Sequence, residues 1–160
     1  MTPDDRHDWS RLNRLQLGKY AEYLVKMEFV LYGCDVFTSE VDDHGIDFVV
    51  RTRQGNHYDV QVKSFRLETG KGTPYVYLDK QTFRVDPRSL LVLVHFVNGQ
   101  PPILYLMRSA IGDTPNPLLK NYEAEPGRRV SSEWGLTLSR AKLQLLAQDW
   151  SFDAVVKTLE

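Results

Sequence analysis

The chain has 160 residues, of which 42% are hydrophobic and 26% are charged, a composition that predicts one globular domain spanning residues 1–160. Its formal net charge of −1 argues against a protein that binds nucleic acid through an overall excess of positive charge, so any such binding requires a local cluster of cations. A single cysteine, Cys34, excludes an internal disulfide and a zinc site built from cysteines.

No segment of the sequence predicts membrane insertion or export. The first ten residues, MTPDDRHDWS, are polar and charged, unlike a signal peptide. The longest apolar run, at residues 90–97, is far too short to cross a bilayer. We therefore expect a cytoplasmic protein with no membrane partner.

A long first helix is predicted over residues 12–32, because apolar side chains recur at helical spacing and Gly33 supplies a stop. The side chains expected to face the core are Leu17, Tyr20, Ala21, Leu24, Met27 and Leu31, with Val25 and Phe29 widening the stripe.

Strands and two further helices follow. Strands are predicted at residues 34–39, 46–52, 57–65, 75–78, 90–97 and 103–107, with the turn RQGN joining the second and third into a hairpin. Residues 109–134 are rich in proline and glycine, so we expect little regular structure there. Helices are predicted at 139–147, after a serine cap, and at 151–159, capped by Ser151 with Asp153 in the first turn. This order predicts an α/β fold with a central mixed β-sheet flanked by helices.

The predicted hairpin carries polar side chains on one face. In YDVQVKSF, residues 58–65, the aromatic and valine side chains alternate with Asp59, Gln61 and Lys63. Asp47 lies on the preceding strand. A carboxylate and an amide oxygen, with the carbonyl of Val62, can hold a hard cation such as Mg²⁺. A lysine beside them can orient water or offset the charge of a phosphate.

Other interpretations fit the same residues. A solvated strand face with charge pairs shows the same pattern as the hairpin, and Glu22 on the helix is also spaced to pair with Lys26. His44 precedes Asp47 closely enough to contact a phosphate, or to act with Asp47 as a base on a small phosphoester. The other histidines, His7, His57 and His95, show no metal-binding spacing. Phosphate-binding glycine loops and a GxSxG elbow are absent from the sequence.

Three short motifs taken together resemble a known family. GKYAE at residues 18–22, GID at 45–47 and VQVKS at 60–64 resemble the PD-(D/E)XK nuclease superfamily. The likeness is to archaeal Holliday-junction resolvases, Mrr-type restriction endonucleases and related small bacterial proteins of unknown function, and it covers residues 17–65. Gln61 stands where many members have glutamate, as in the Mrr-type pattern, and GID replaces the proline-acid signature.

The resemblance implies a restriction-endonuclease-like fold and a Mg²⁺-dependent endonuclease, with Mn²⁺ as a substitute metal. It implies hydrolysis of phosphodiester bonds in DNA, branched or modified DNA among the substrates, and a homodimer. The implied catalytic residues are Glu22, Asp47, Gln61 and Lys63, and the implied metal ligands are Asp47, Gln61, the carbonyl of Val62 and Glu22. The implied DNA contacts are Lys19, His44, Ser64, Arg66 and Lys71, together with Arg11 and Arg14. The alternative is a weak or inactive member of the family that binds nucleic acid or protein.

Overall fold

A computed structural model describes residues 6–40, 45–67, 72–109, 118–124 and 131–159. The helices are α1 (Arg14–Leu31), α2 (Arg140–Asp149) and α3 (Phe152–Val156), and a short 3-10 helix at Trp9–Arg11 precedes α1. The strands are β1 (Asp35–Phe37), β2 (Phe48–Arg51), β3 (His57–Arg66), β4 (Tyr75–Asp79), β5 (Ser89–Phe96), β6 (Ile103–Arg108), β7 (Lys120–Tyr122) and β8 (Glu133–Thr137). The predicted α/β class is confirmed.

The central sheet has five strands in the order β1-β2-β3-β5-β6. Its pairs are antiparallel except β3 with β5, which run parallel with Val60 opposite Leu90. The sheet is therefore mixed, as expected. The short strand β2 pairs with β3 only over His57–Val60, so no described strand covers the same edge of β3 from Val62 onward.

Two hydrophobic cores lie on opposite faces of this sheet. On one face, α1 and α3 pack over β2, β3 and β5, and the buried side chains include Val25, Phe29, Val60 and Phe152. The other face is covered by α2 and by a second sheet, which consists of β4, β7 and β8. The side chains buried there include Leu78, Leu93, Leu136 and Leu146. Because both faces are covered, every residue of β5 is buried, which accounts for its uninterrupted apolar sequence.

Helix α1 confirms the predicted helix but corrects its buried stripe. The buried side chains follow strict i, i+4 spacing at Leu17, Ala21, Val25 and Phe29. Met27 and Leu31 are 60% and 76% exposed, so the prediction that these two face the core was wrong. Tyr20 is 40% exposed, but its ring packs against the buried rings of Trp9 and Phe96. The helix is apolar on much of its surface, so spacing alone could not separate the buried face from the exposed one.

The second sheet corrects the expectation for residues 109–134. Strand β7 lies within that segment and β8 begins in it, and the two pair with β4 in the antiparallel order β4-β8-β7. A signal for β8 was present in the sequence, because Trp134, Leu136 and Leu138 alternate with smaller or polar residues. All three belong to the second core.

The C-terminal helices agree with prediction except at one cap. The hydroxyl of Ser139 accepts a hydrogen bond from the backbone N–H of Lys142, as expected of the cap of α2. Ser151 occupies the N-cap position of α3 as predicted, but its side chain makes no cap hydrogen bond. Asp153 does lie in the first turn of α3, where its carboxylate accepts a hydrogen bond from the hydroxyl of Tyr32.

Within the described ranges, no helix has both the length and the apolarity needed to cross a bilayer.

Candidate functional site

The carboxylate of Asp47 is held against the edge of β3 just where β2 begins. The backbone N–H of Asp47 donates to the carbonyl of Val60 at 2.9 Å. Its carboxylate Oδ2 accepts the backbone N–H of Val62 at 2.6 Å. The side chain of Asp47 thus takes the place that a further residue of β2 would occupy in the ladder.

The carbonyl of Val62 lies on the same edge. In an antiparallel pair, the N–H and C=O of one residue point to the same neighbouring strand. Since the N–H of Val62 points to Asp47, its carbonyl oxygen also faces the edge that β2 leaves uncovered. A carboxylate and a backbone carbonyl therefore face one place from two different chain segments.

A groove of about 580 Å³ lies beside this edge, between the N-terminal half of α1 and β3. Glu22 from α1 and Lys63 from β3 both line it. The remaining lining residues are Arg14, Leu15, Gln16, Gly18, Lys19, Val62 and Ser64. The fold thus brings two of the predicted catalytic residues to one opening, although they are far apart in the sequence.

An ion pair lies on the α1 side of the groove. The ammonium of Lys19 and the carboxylate of Glu22 are 2.5 Å apart, and the side chain of Glu22 is only 20% exposed. The hydrogen bond to Glu22 raises the pKa of Lys19, and the charge of Asp47 acts in the same direction. Both predicted carboxylates are thus close enough to influence one lysine.

Lys63 contacts both the groove and the second sheet. Its ammonium lies 5.8 Å from the centre of the Tyr77 ring on β4, within the range of a cation–π interaction. The same side chain lines the groove that contains Glu22. Lys63 is therefore placed where a phosphate bound in the groove would meet the second sheet.

Gln61 does not line the groove. It lies in a separate small cavity with Gly45, Ile46 and Thr82 among its neighbours. Its side-chain Oε1 is buried and, among the described residues, has no hydrogen-bond partner. A buried acceptor without a donor is costly, and a cation or a water molecule would satisfy it.

The oxygen donors suit a hard cation. The carboxylate of Asp47, the carbonyl of Val62 and the amide of Gln61 are all oxygen ligands of the type that Mg²⁺ prefers. In the part of the chain that the structure describes, no three His, Cys, Asp or Glu side chains cluster closely enough to hold a metal. A cation at this edge of β3 would therefore depend on the neutral carbonyl oxygen of Val62 as well as on Asp47, and the Gln61 amide would have to turn toward it from its own cavity.

Gly45 fixes the approach of the chain to Asp47. Its φ of +69° is one that L side chains rarely adopt. A Cβ atom there would lie 2.7 Å from the Cβ of Thr82 and 3.3 Å from Nε2 of Gln61. The turn after β4 thus packs against the backbone leading to Asp47. Nothing in the sequence points to Thr82 as a neighbour, because the contact joins two separate sheets.

Only some of the residues that were predicted to contact DNA line the groove. Ser64 and Lys19 line the groove, as does Arg14. Arg66 donates from Nη1 to the carbonyl of Trp9 at 2.6 Å, and so holds the N-terminal 3-10 helix to β3. Arg11 pairs with Asp8 at 3.0 Å. His44 and Lys71 lie outside the described residues, so their predicted roles stay predictions.

No protein-family model matches this chain, and no curated protein is significantly similar to it. Among solved structures, the chain is similar to a bacterial homing endonuclease, I-Ssp6803I. The two share 16% sequence identity over 86% of this chain and 95% of the homing endonuclease, with a TM-score of 0.49.

Proposed function

We propose that this protein is a Mg²⁺-dependent endonuclease that hydrolyses phosphodiester bonds in DNA. The observation that carries the proposal is the 2.6 Å hydrogen bond from the N–H of Val62 to the carboxylate of Asp47. This bond fixes a carboxylate beside a groove lined by Glu22 and Lys63. An acid, a second acid and a lysine from three chain segments supply the groups that phosphodiester hydrolysis needs.

Asp47 and the carbonyl of Val62 would hold the cation, with Glu22 as a further ligand and Mn²⁺ as a substitute for Mg²⁺. Gln61 would join them by turning its side chain out of the neighbouring cavity toward this edge of β3. Such a cation makes a bound water more acidic and offsets the charge that develops on the phosphate. The buried Oε1 of Gln61 supports this assignment, because the described residues give it no hydrogen bond that such a turn would break. Because an amide brings no charge, we expect Gln61→Glu to lower the Mg²⁺ concentration that gives half-maximal cleavage.

The chain's own residues bind and orient the substrate. The ammonium of Lys63 donates to a non-bridging phosphate oxygen or to the attacking water. Lys19 and Arg14 lie along the same groove, where they contact neighbouring phosphates. In the reaction, the water oxygen bonds to phosphorus, one phosphorus–oxygen ester bond breaks, and the leaving oxygen takes up a proton.

The test compares nicking of supercoiled plasmid and of four-way branched DNA in Mg²⁺, in Mn²⁺ and in EDTA. We expect Asp47→Asn and Lys63→Met each to lower the rate by about 100-fold or more. Two matched controls should cleave as the wild type does. Asp35→Asn removes a carboxylate that pairs with Arg51 on β2. Lys157→Met removes an exposed lysine next to Tyr32.

Two outcomes would contradict the proposal. Undiminished cleavage by Asp47→Asn and Lys63→Met would assign the activity to another site or to a contaminant. Failure of the pure wild-type protein to cleave any DNA in either metal would exclude catalysis under these conditions.

A second candidate function is a binding protein that keeps the groove without cleaving. The ion pair between Glu22 and Lys19 favours it, because it already engages one of the two carboxylates of the site. This function predicts DNA binding in EDTA that Lys63→Met weakens, with no cleavage in Mg²⁺ or Mn²⁺. Sedimentation of the same samples tests the homodimer, which would supply one site for each strand of a duplex.

A further inference from the structure

The face of the second sheet that points away from the core carries three tyrosines. Tyr77 of β4 and Lys120 of β7 lie on either side of Gly135 in the central strand β8. Tyr75 and Tyr122 belong to the same face by alternation. Tyr75 is 45% exposed, Tyr77 50% and Tyr122 43%. The opposite face carries Val76, Leu78 and Leu136, which are buried in the second core.

Gly135 leaves room for two of these rings to lie along the sheet. A Cβ atom at Gly135 would be 2.0 Å from the hydroxyl oxygen of Tyr75 and 2.9 Å from Cε2 of Tyr122. Tyr75 is paired directly with Thr137, yet its hydroxyl reaches over Gly135 and donates to the carboxylate of Glu133 at 2.5 Å. The Tyr75 ring therefore extends along the surface of the sheet and is held in place by the hydrogen bond of its hydroxyl group.

The tyrosine face is continuous with the groove. Lys63 lines the groove with Lys19 and Arg14, and its ammonium lies 5.8 Å from the centre of the Tyr77 ring. One cation of the groove, Lys63, thus lies next to Tyr77, an aromatic ring on which a base could stack. Two carboxylates of this face accept hydrogen bonds from the protein itself. Glu133 accepts from the hydroxyl of Tyr75, and Asp79 accepts from the backbone N–H of Gln81.

We propose that Tyr75, Tyr77 and Tyr122 around Gly135 form a platform on which unpaired bases of single-stranded DNA stack, while the adjoining phosphates contact Lys63 and the groove. Half-exposed rings on a sheet surface offer flat faces to bases, and the faces of paired bases are hidden inside a duplex. Hydroxyls and charges surround the rings, an arrangement that suits a polar nucleic acid better than an apolar protein surface.

The platform restricts the class of DNA that we expect the groove to bind. Its use in substrate recognition rests on the proposed nuclease, whereas the binding itself does not. If both hold, the unpaired bases lie beside Lys63, so the substrate is DNA with a single-stranded segment next to the bond that is cleaved. Branched DNA, flaps and bubbles meet this requirement, and fully paired linear DNA does not.

The test is fluorescence anisotropy in EDTA, which removes cleavage from the measurement. The probes are a labelled oligothymidylate of about 15 nucleotides, a duplex of the same length and the matching oligouridylate. We expect oligothymidylate to bind more tightly than the duplex. Tyr77→Leu and Tyr122→Leu should each weaken oligothymidylate binding by about 5- to 100-fold and leave duplex binding nearly unchanged.

Tyr23→Leu is the matched control, because Tyr23 is a 62% exposed tyrosine on α1, outside the platform. We expect it to bind oligothymidylate like the wild type. Gly135→Ala should displace Tyr75 and Tyr122 and weaken binding as the tyrosine variants do. Should Gly135→Ala fail to fold, Tyr77→Leu and Tyr122→Leu still decide the question, because both side chains are half exposed.

Several results would overturn the platform. These are equal affinity for duplex and oligothymidylate, tyrosine variants that bind like wild type, or tighter binding of oligouridylate. A dimer that Tyr77→Leu dissociates would show that a second copy of the chain covers this face. The nuclease can fail separately: tyrosine-dependent binding without cleavage keeps the platform and rejects the endonuclease, and Asp47→Asn should still bind oligothymidylate.

Discussion

His95 is a buried titratable side chain in the interior of β5. Its ring stacks on Phe65 with the ring centres 4.6 Å apart, and neither ring nitrogen has a hydrogen-bond partner among the described residues. Burial lowers the pKa of His95 below its ordinary value, because a buried imidazolium would lose its hydration. The folded protein therefore holds His95 in its neutral form.

The pH dependence of stability follows from this state. Above pH 6.5, the ordinary value for histidine, His95 is neutral in both the folded and the unfolded chain. Below it, the unfolded chain binds a proton that the folded chain does not, so stability is lost as the pH falls toward the lowered pKa. We expect His95→Leu to weaken this loss as the pH falls below 6.5. Near pH 7 it should add about 1 kcal/mol of unfolding free energy, by removing two buried nitrogens that have no hydrogen-bond partner among the described residues.

The measurement is urea denaturation of wild type and variant across this pH range. His57→Gln serves as the control, because it replaces an exposed histidine outside the core. Parallel curves for wild type and His95→Leu down to pH 5 would mean that His95 takes up its proton in the folded state.

Gly45 and Gly55 separate two costs of replacing a glycine. Both have positive φ, +69° and +89°, but only at Gly45 would a Cβ atom meet a neighbour, Thr82 at 2.7 Å. We expect Gly55→Ala to cost about 1–2 kcal/mol of unfolding free energy, for backbone conformation alone. Gly45→Ala should cost more and also lower cleavage, because Asp47 must shift. Equal losses of stability in the two variants would show that Thr82 moves away from the added Cβ atom without a measurable cost in free energy.

At the scale of elements, α1 and α3 differ in how they begin. The side chain of Asn13 accepts the N–H of Gln16, and the Gln16 side chain accepts the N–H of Asn13, which forms a capping box. Ser151 makes no such bond. Asn13→Ala should therefore cost about 1 kcal/mol of unfolding free energy and Ser151→Ala close to nothing. Thermal and urea unfolding decide this, and a larger loss in Ser151→Ala would contradict the assignment.

The elements show which signals in the sequence were sufficient. Periodicity predicted α1 and the hairpin of β2 and β3, because both are local and strongly patterned. It failed for the buried stripe of α1, where Met27 is as apolar as a core residue yet 60% exposed. The alternation at β8 was present but did not lead to a predicted strand, because β8 is short, has a glycine at its centre and pairs with β4, which is distant in the sequence.

The site was predictable to a similar extent. Short motifs pointed to the candidate residues Glu22, Asp47 and Lys63, because each lies on, or directly beside, a well-patterned element. They could not show that the Gln61 side chain enters a separate cavity, since Gly45 and Thr82, which border it, come from distant segments. The tyrosine platform was equally hidden, because Tyr122 and Gly135 lie in or at the edge of the segment expected to have little structure.

At the scale of the whole molecule, the second sheet and α2 cover the face of β3 that the sequence left open to solvent. Lys63 consequently lies at a junction between the groove and the tyrosine platform. With a net charge of −1, the molecule as a whole does not attract nucleic acid. We therefore expect binding to come from a local set of cations in the groove, and its salt dependence to be correspondingly modest.

The salt dependence of DNA binding measures how many cations of the groove contact phosphates. Among the described residues, three cations line the groove: Arg14, Lys19 and Lys63. For single-stranded DNA, each phosphate contact adds about 0.7 to the slope of log K against log salt, so three contacts predict a slope of about −2. Lys63→Met should reduce the slope by about 0.7, and Lys157→Met should leave it unchanged. Tyr77→Leu should weaken binding at every salt concentration without altering the slope, since stacking releases no counterions. If Lys63→Met weakens binding with the slope intact, Lys63 acts through Tyr77 and does not contact a phosphate.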